Sequence, residues 1–222
     1  MKTAIVFGAT SGIGKEISEL LLKDGYKVAI TGRRLKKLEA LKKQYPNQVY
    51  VAQNDIQKVD EVENVFNEII KEFTTIDLII QSSGVGHINP TLSWDKEEET
   101  IFTNVVGVTK LYDLSFNLFR NQGFGHLVGI TSIASIRGNR GAPAYFSSKA
   151  YQKAYLESLY MKTKTIKSNK VFITDIRPGF VDTAMALGKV FFGWFLLKKQ
   201  QNRCIQRLRK RKELLTSLNV GD

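Results

Sequence analysis

The chain is expected to form a single α/β domain, a doubly wound parallel sheet with helices on both faces. Three observations predict this. Strand-like apolar runs alternate with helix-periodic segments along the chain, the pattern of β-α-β units. The strand-like runs are nearly all apolar, as in sheets covered on both faces. The first of them ends in a glycine-rich turn that leads straight into a helix pattern.

Taken in order, residues 2–7 read as a buried strand ended by Gly8. A helix follows over Ile13 to Lys23, with Ile13, Ile17, Leu20 and Leu21 on one face, and Asp24-Gly25 stops it. Tyr26 to Thr31 is the second strand and Leu35 to Gln44 the second helix. Pro46-Asn47 turns the chain into a third strand, Gln48 to Ala52. Val59 to Phe73 is helical, Asp77 to Ile80 is a short strand, and Gly84-Val85-Gly86 breaks it. Asp95 to Arg120 reads as one long helix and His126 to Thr131 as a strand. Tyr145 to Ile166 is a helix, and Val171 to Ile176 is the last clear strand. Residues 1–192 read as one domain, and 193–222 as a basic tail.

Composition excludes several classes. The 222 residues are 43% hydrophobic and 24% charged, ordinary for a globular protein. One cysteine, Cys204, excludes an internal disulfide framework and suits a reducing cytoplasm. The opening apolar run reaches Gly8 at once, too short for a signal-peptide core. The longest apolar run, Val190 to Leu197, has eight residues, well short of a membrane span, so no stable membrane insertion is expected. Net charge is +12, and +6 of it falls in the last 30 residues. Such a patch attracts nucleic acid or anionic lipid. No aromatic platform is interleaved with the charges, so a solvated tail is the reading and nucleic acid is not an expected partner.

Two stretches carry chemistry. Gly8-Ala9-Thr10-Ser11-Gly12-Ile13-Gly14 sits between the first strand and the first helix, the context of a dinucleotide-binding turn. Glycines let backbone approach a pyrophosphate, and a helix N-terminus favours its charge. Farther on, Tyr145 and Lys149 lie four residues apart, on one face of a helix. An ammonium beside a phenol favours the phenolate, so the pair suits proton exchange with a carbonyl or alcohol. Tyr160 and Lys164 repeat the spacing and read as a solvated helix face. The first pair differs in its company: Ser132 upstream, Pro178-Gly179 downstream and the glycine turn.

The Gly-xxx-Gly-x-Gly spacing, with these residues, resembles the short-chain dehydrogenase/reductase family, over about residues 2–187. The resemblance implies a Rossmann-like fold and a nicotinamide cofactor. It implies that Tyr145 exchanges the proton, that Ser132 hydrogen-bonds the substrate oxygen, and that Lys149 lowers the tyrosine pKa and bonds the nicotinamide ribose. Asn104 then completes the set and holds a water behind Lys149. Cofactor contacts carry over to Gly8, Thr10, Ser11, Gly12, Ile13 and Gly14; to Ser83 and Gly84; and to Pro178, Gly179, Val181 and Thr183 in the segment that closes over the nicotinamide. Where the family has Asn-Asn-Ala-Gly, this chain reads Gln81-Ser82-Ser83-Gly84, and Ser82 is expected to supply a shorter hydrogen bond at that turn.

NADP(H) is the expected cofactor. NAD-selective sites place an acid at the end of the second strand. Here that end reads Gly32-Arg33-Arg34, and guanidiniums suit a 2′-phosphate. Arg33 is favoured over Arg34 for this contact, and Asp55 with Ile56 is expected at the adenine. His87 reads as a surface loop residue and His126 as structural, and no spacing suggests a metal site. The leading reading is a cytoplasmic reductase or dehydrogenase acting on a small-molecule carbonyl/alcohol pair, with a homodimer through the long helices Asp95–Arg120 and Tyr145–Ile166. A non-catalytic nucleotide-binding regulator or scaffold is the alternative.

The tail carries one further expectation. Members of the resembled family continue after Pro-Gly with a helix opening near Glu-Lys-Ala and then a last strand. From Trp194 through Gly221, the frame starting on each third base allows VSVEKAAKQMYSAIKKKKRVAYITKRWR. The tail is therefore read as a frameshifted copy of that ending, shifted between about Leu187 and Trp194, and the sheet as lacking its last strand. The nucleotide sequence decides: stop codons or nonfamily residues in that frame end the idea.

Overall fold

β1 (Thr3–Phe7) is buried along its whole length, because its residues supply two cores at once. Ile5 and Phe7 pack into one apolar cluster, Ala4 and Val6 into another, the period-2 alternation of a strand covered on both faces. The computed structural model describes residues 1–167 and 170–179. Expectations that rest on Val181, Thr183, the basic tail, its frameshift and the missing strand lie outside the described residues.

The elements after β1 are α1 (Gly12–Lys23), β2 (Lys27–Gly32), α2 (Leu35–Gln44), β3 (Val49–Gln53), α3 (Val59–Phe73) and β4 (Leu78–Gln81). Then come α4 (Trp94–Ile101), a π-helical segment (Phe102–Gly107), α5 (Val108–Gln122), β5 (Phe124–Ile130), a short 3₁₀ turn (Ile133–Ser135), α6 (Pro143–Thr163) and β6 (Lys170–Ile176). The strands form one parallel sheet in the order β3-β2-β1-β4-β5-β6. This is the doubly wound, Rossmann-like single domain that the alternation predicts. α1 and α2 bury Ile17, Leu22, Leu38 and Leu41 on one face of the sheet. α3, α5 and α6 bury Phe66, Ile69, Leu111, Phe119 and Leu156 on the other.

Strand order reverses between β1 and its two neighbours, β2 and β4, and the crevice beyond those carboxyl ends is where such sheets bind ligands. The expected helix Asp95–Arg120 is instead two helices joined by the π turn. A π turn carries a surplus residue and breaks the regular backbone ladder. Gly107 closes that segment because a Cβ there would lie 2.0 Å from the Ile56 main-chain oxygen. α6 starts two residues earlier than expected, at Pro143, where its missing N–H costs nothing in a first turn.

Among the described residues no helix is long and apolar enough to cross a membrane, and no group of three or more His, Cys, Asp or Glu could hold a metal ion.

Candidate active site

The turns after β1, β2 and β3 and the ends of β4 and β5 enclose a cavity of about 540 Å³, with α6 and Pro178-Gly179 on its far side. At one end the backbone of the glycine turn, Gly8 and Thr10 to Ile13, lines the wall. Gly8 has φ +88°, and a Cβ there would sit 2.6 Å from Ser83 N, so only glycine fits. Gly14 does not line the cavity. It lets α1 touch the turn, since its Cβ would meet Gly8 O at 2.3 Å.

Arg33 and Arg34 both face this end. Arg34 Nη2 donates to Ser11 Oγ at 2.7 Å, and its Nε to Thr10 Oγ1 at 3.1 Å, so it ties the first turn to the second. Arg33 is half exposed, and its Nη1 lies 3.8 Å from Glu99 Oε1. The other oxygen of Glu99 lies 2.6 Å from His87 Nε2. Sequence reasoning missed this acid on α4 beside the arginine pair.

At the third turn the lining residues are Asn54 and Ile56, and Asp55 is not among them. Asp55 Oδ1 instead accepts from Gln57 N at 3.2 Å, a turn bond that prepares α3. Asn54 is buried, and its Nδ2 has no partner. An orphaned buried donor costs free energy, and this one sits in the cavity wall where a bound group with an acceptor would satisfy it. The hydroxyls of Thr10 and Ser11, two guanidiniums and this amide together fit an anionic nucleotide.

At the other end Ser132, Tyr145 and Lys149 line the cavity together with Ser83 and Gly84, and a Cβ on Gly84 would lie 3.5 Å from Lys149 Nζ. Ser132 caps the 3₁₀ turn, its Oγ accepting from Ala134 N at 3.1 Å. Tyr145 lies against the loop after β4: a Cβ on Gly86 would meet its ring at 2.6 Å. Burial raises the Tyr145 phenol above its usual value, and a hydrogen bond with Ser132 pulls the other way. The expected lowering by Lys149 does not enter that balance. Its Nζ lies 6.0 Å from the Tyr145 ring centroid and turns inward, donating to Ile130 O at 3.2 Å and Gln152 Oε1 at 3.0 Å. Burial also lowers Lys149 to about 8, with the Asp175 carboxylate opposing.

Asn104 sits behind this wall rather than in it. Its Oδ1 accepts from Val85 N at 2.9 Å, and its Nδ2 donates to Val85 O at 2.7 Å and Ser148 Oγ at 3.0 Å. The amide thus mimics a neighbouring strand and pins the 84–86 loop. The missing asparagine of that turn is replaced by Gln81, not by the expected Ser82: Gln81 Nε2 donates to Ser83 O at 2.7 Å. Tyr160 is exposed, with Lys164 Nζ 4.8 Å from its ring centroid.

A glycine turn at a sheet switch point, beside a Ser-Tyr-Lys wall, marks an oxidoreductase site on a dinucleotide-binding fold. The chain belongs to the short chain dehydrogenase family, whose model matches residues 2–189. It is 31% identical over 202 residues to an uncharacterized oxidoreductase of Myxococcus xanthus, covering 89% of this chain and 79% of that one. It is 29% identical to carbonyl reductase family member 4 of Xenopus tropicalis, covering 84% of this chain and 78% of that one. Among solved structures, the alcohol dehydrogenase of Thermococcus sibiricus, complexed with 5-hydroxy-NADP, aligns with a TM-score of 0.80 and 25% identity, covering 95% of this chain and 91% of that one. The chain is therefore an oxidoreductase of this family, which binds a nicotinamide cofactor.

Proposed function

We propose that the protein interconverts a carbonyl and an alcohol with NADP(H), using Tyr145 as the acid/base. The observation that carries this reading is one cavity with an arginine pair at one end and Ser132, Tyr145 and Lys149 at the other. The cofactor would supply or accept the hydride. Arg33 and Arg34 would take its 2′-phosphate, Arg34 already held by Thr10 and Ser11. Asn54 would take an acceptor of the base, and the α1 N-terminus the pyrophosphate.

Tyr145 donates a proton to the substrate oxygen in reduction and accepts it in oxidation. A phenol is protonated at neutral pH, the state reduction needs, and burial moves Tyr145 further in that direction. Ser132 shares a hydrogen bond with that phenol and steadies charge as it develops on the oxygen. Lys149 holds the ribose, and Asn104 fixes the loop that faces it. The alternative of a non-catalytic nucleotide binder has no specific observation in its favour.

The test is a carbonyl panel followed by NADPH and NADH absorbance, with Tyr145→Phe as the control. Turnover with NADPH that Tyr145→Phe abolishes supports the reading. Equal efficiency with both cofactors, unchanged by Arg33→Ala, overturns its NADPH part.

A further inference from the structure

Gln152 is fully buried three residues beyond Lys149 on α6. Its Nε2 donates to the Asn104 main-chain oxygen at 2.7 Å, and its Oε1 accepts from Lys149 Nζ at 3.0 Å. We propose that Gln152 is a positioning residue that sets the direction and charge of the Lys149 ammonium by tying it to the Asn104 carbonyl.

The orientation of the amide follows from its partners. A main-chain carbonyl only accepts and an ammonium only donates. Nε2 must face Asn104 and Oε1 must face Lys149, because the flipped amide would oppose like poles at both ends. The π segment makes the first bond available, since Asn104 lies inside it and its regular helical ladder is broken there. This amide is fixed by its two partners and offers Lys149 only an acceptor.

Three consequences follow for Lys149. A charged Nζ carries three protons. Ile130 O and Gln152 Oε1 take two of them, which leaves one for the cavity. Both acceptors favour the charged form against a burial that opposes it. The inward side of the ammonium is closed by groups that accept without giving a proton back, so its proton exchange runs through the cavity.

The other titratable groups around Lys149 are few. Tyr145 stands on its own helix. Asp175 acts from β6, where Thr131 Oγ1 and Arg177 Nε both donate to its carboxylate at 2.5 Å. Tyr112 on α5 is kept protonated by burial, with Asp175 adding to the effect. Gln152 is thus an uncharged side chain in direct contact with the Lys149 ammonium, beside the Ile130 main-chain oxygen.

The test is an NMR titration of the cofactor-free protein with isotope-labelled lysine side chains, the Lys149 signal assigned by its loss in Lys149→Met. Gln152→Leu removes the acceptor and should lower the Lys149 midpoint by about one pH unit, and Gln152→Glu sets a carboxylate there and should raise it by about as much. Opposite displacements support the proposal. No displacement, or displacement of both in one direction, overturns it. If Gln152→Leu does not fold, the near-isosteric Gln152→Glu decides alone: a raised midpoint supports the proposal and an unmoved one overturns it.

NADPH binding, followed by fluorescence across the same pH range, separates this from the cofactor reading on which the role of Lys149 rests. Midpoints that move in a protein that binds no NADPH would leave Gln152 as proposed and remove the NADPH reading. NADPH binding with unmoved midpoints would do the reverse.

Discussion

The two ends of the cavity are built differently. At the arginine end the charged groups are partly exposed and duplicated: Arg33 and Arg34 line the same wall. At the tyrosine end the polar groups are mostly buried and hold one another through specific hydrogen bonds: Asn104, Ser148, Lys149 and Gln152 are all buried. Solvent screens and replaces contacts at the first end. At the second, a lost partner leaves a buried group unsatisfied. Substitutions should therefore grade the first end and disable the second.

The largest effect is expected at Tyr145. Tyr145→Phe should cut turnover by about a thousandfold, within the range for losing a general acid, while NADPH binding stays near wild type. Tyr160→Phe should change neither, because that phenol is exposed. Steady-state rates and fluorescence binding check both, and equal effects would mean that Tyr145 is not the acid/base.

Gly14→Ala comes next and acts at the arginine end, through the glycine turn. Its Cβ would lie 2.3 Å from the Gly8 main-chain oxygen, which cannot move aside as a side-chain tip can. A loss of about 2 kcal/mol is expected, read from denaturant unfolding. An unchanged midpoint would show that α1 shifts freely over the turn.

Arg33→Ala and Arg34→Ala should each weaken NADPH binding by roughly tenfold, as for loss of a charge-assisted bond, with NADH binding unchanged. The double variant should remove the preference. If either single variant removes it fully, the duplication is not real. The smallest effect is expected at Glu99. Its carboxylate lies near Arg33 and would repel a phosphate bound there. Glu99→Gln should tighten NADPH binding by about threefold, the scale of an exposed ion pair, and leave NADH unaffected. Weaker NADPH binding would instead make Glu99 a group that holds Arg33 in position.

The sequence carried the sheet because each strand is an apolar run between turn residues, and the glycine turn because its spacing meets a strand and a helix in order. Elements set by local pattern, such as Leu35–Gln44 and Val59–Phe73, agree with the structure to the residue. What was not legible depends on contacts between distant residues. Gln152 meets Asn104 across 48 positions, and nothing in its neighbourhood marks it as different from a polar helix residue. Glu99 reads as one of several acids on α4 until Arg33 and His87 are brought beside it. The exchange of Asp55 for Asn54 at the cavity is a one-residue question at a strand end, where the alternation of side chains has already stopped. The π turn has no periodic signature, because one surplus residue scarcely alters the helix pattern around it.

That surplus residue has a consequence for how the chain tolerates length changes. A π turn absorbs roughly one residue more than an α turn while the helices on either side keep their faces. α4 and α5 could therefore be spliced one residue shorter between Phe102 and Gly107 and still meet the sheet as they do now. The scaffold would be indifferent to the cut. The Asn104 carbonyl would rejoin the helix ladder, and Gln152 would lose its acceptor. Chain length at this one turn thus bears more on the site than on the sheet contacts of the flanking helices.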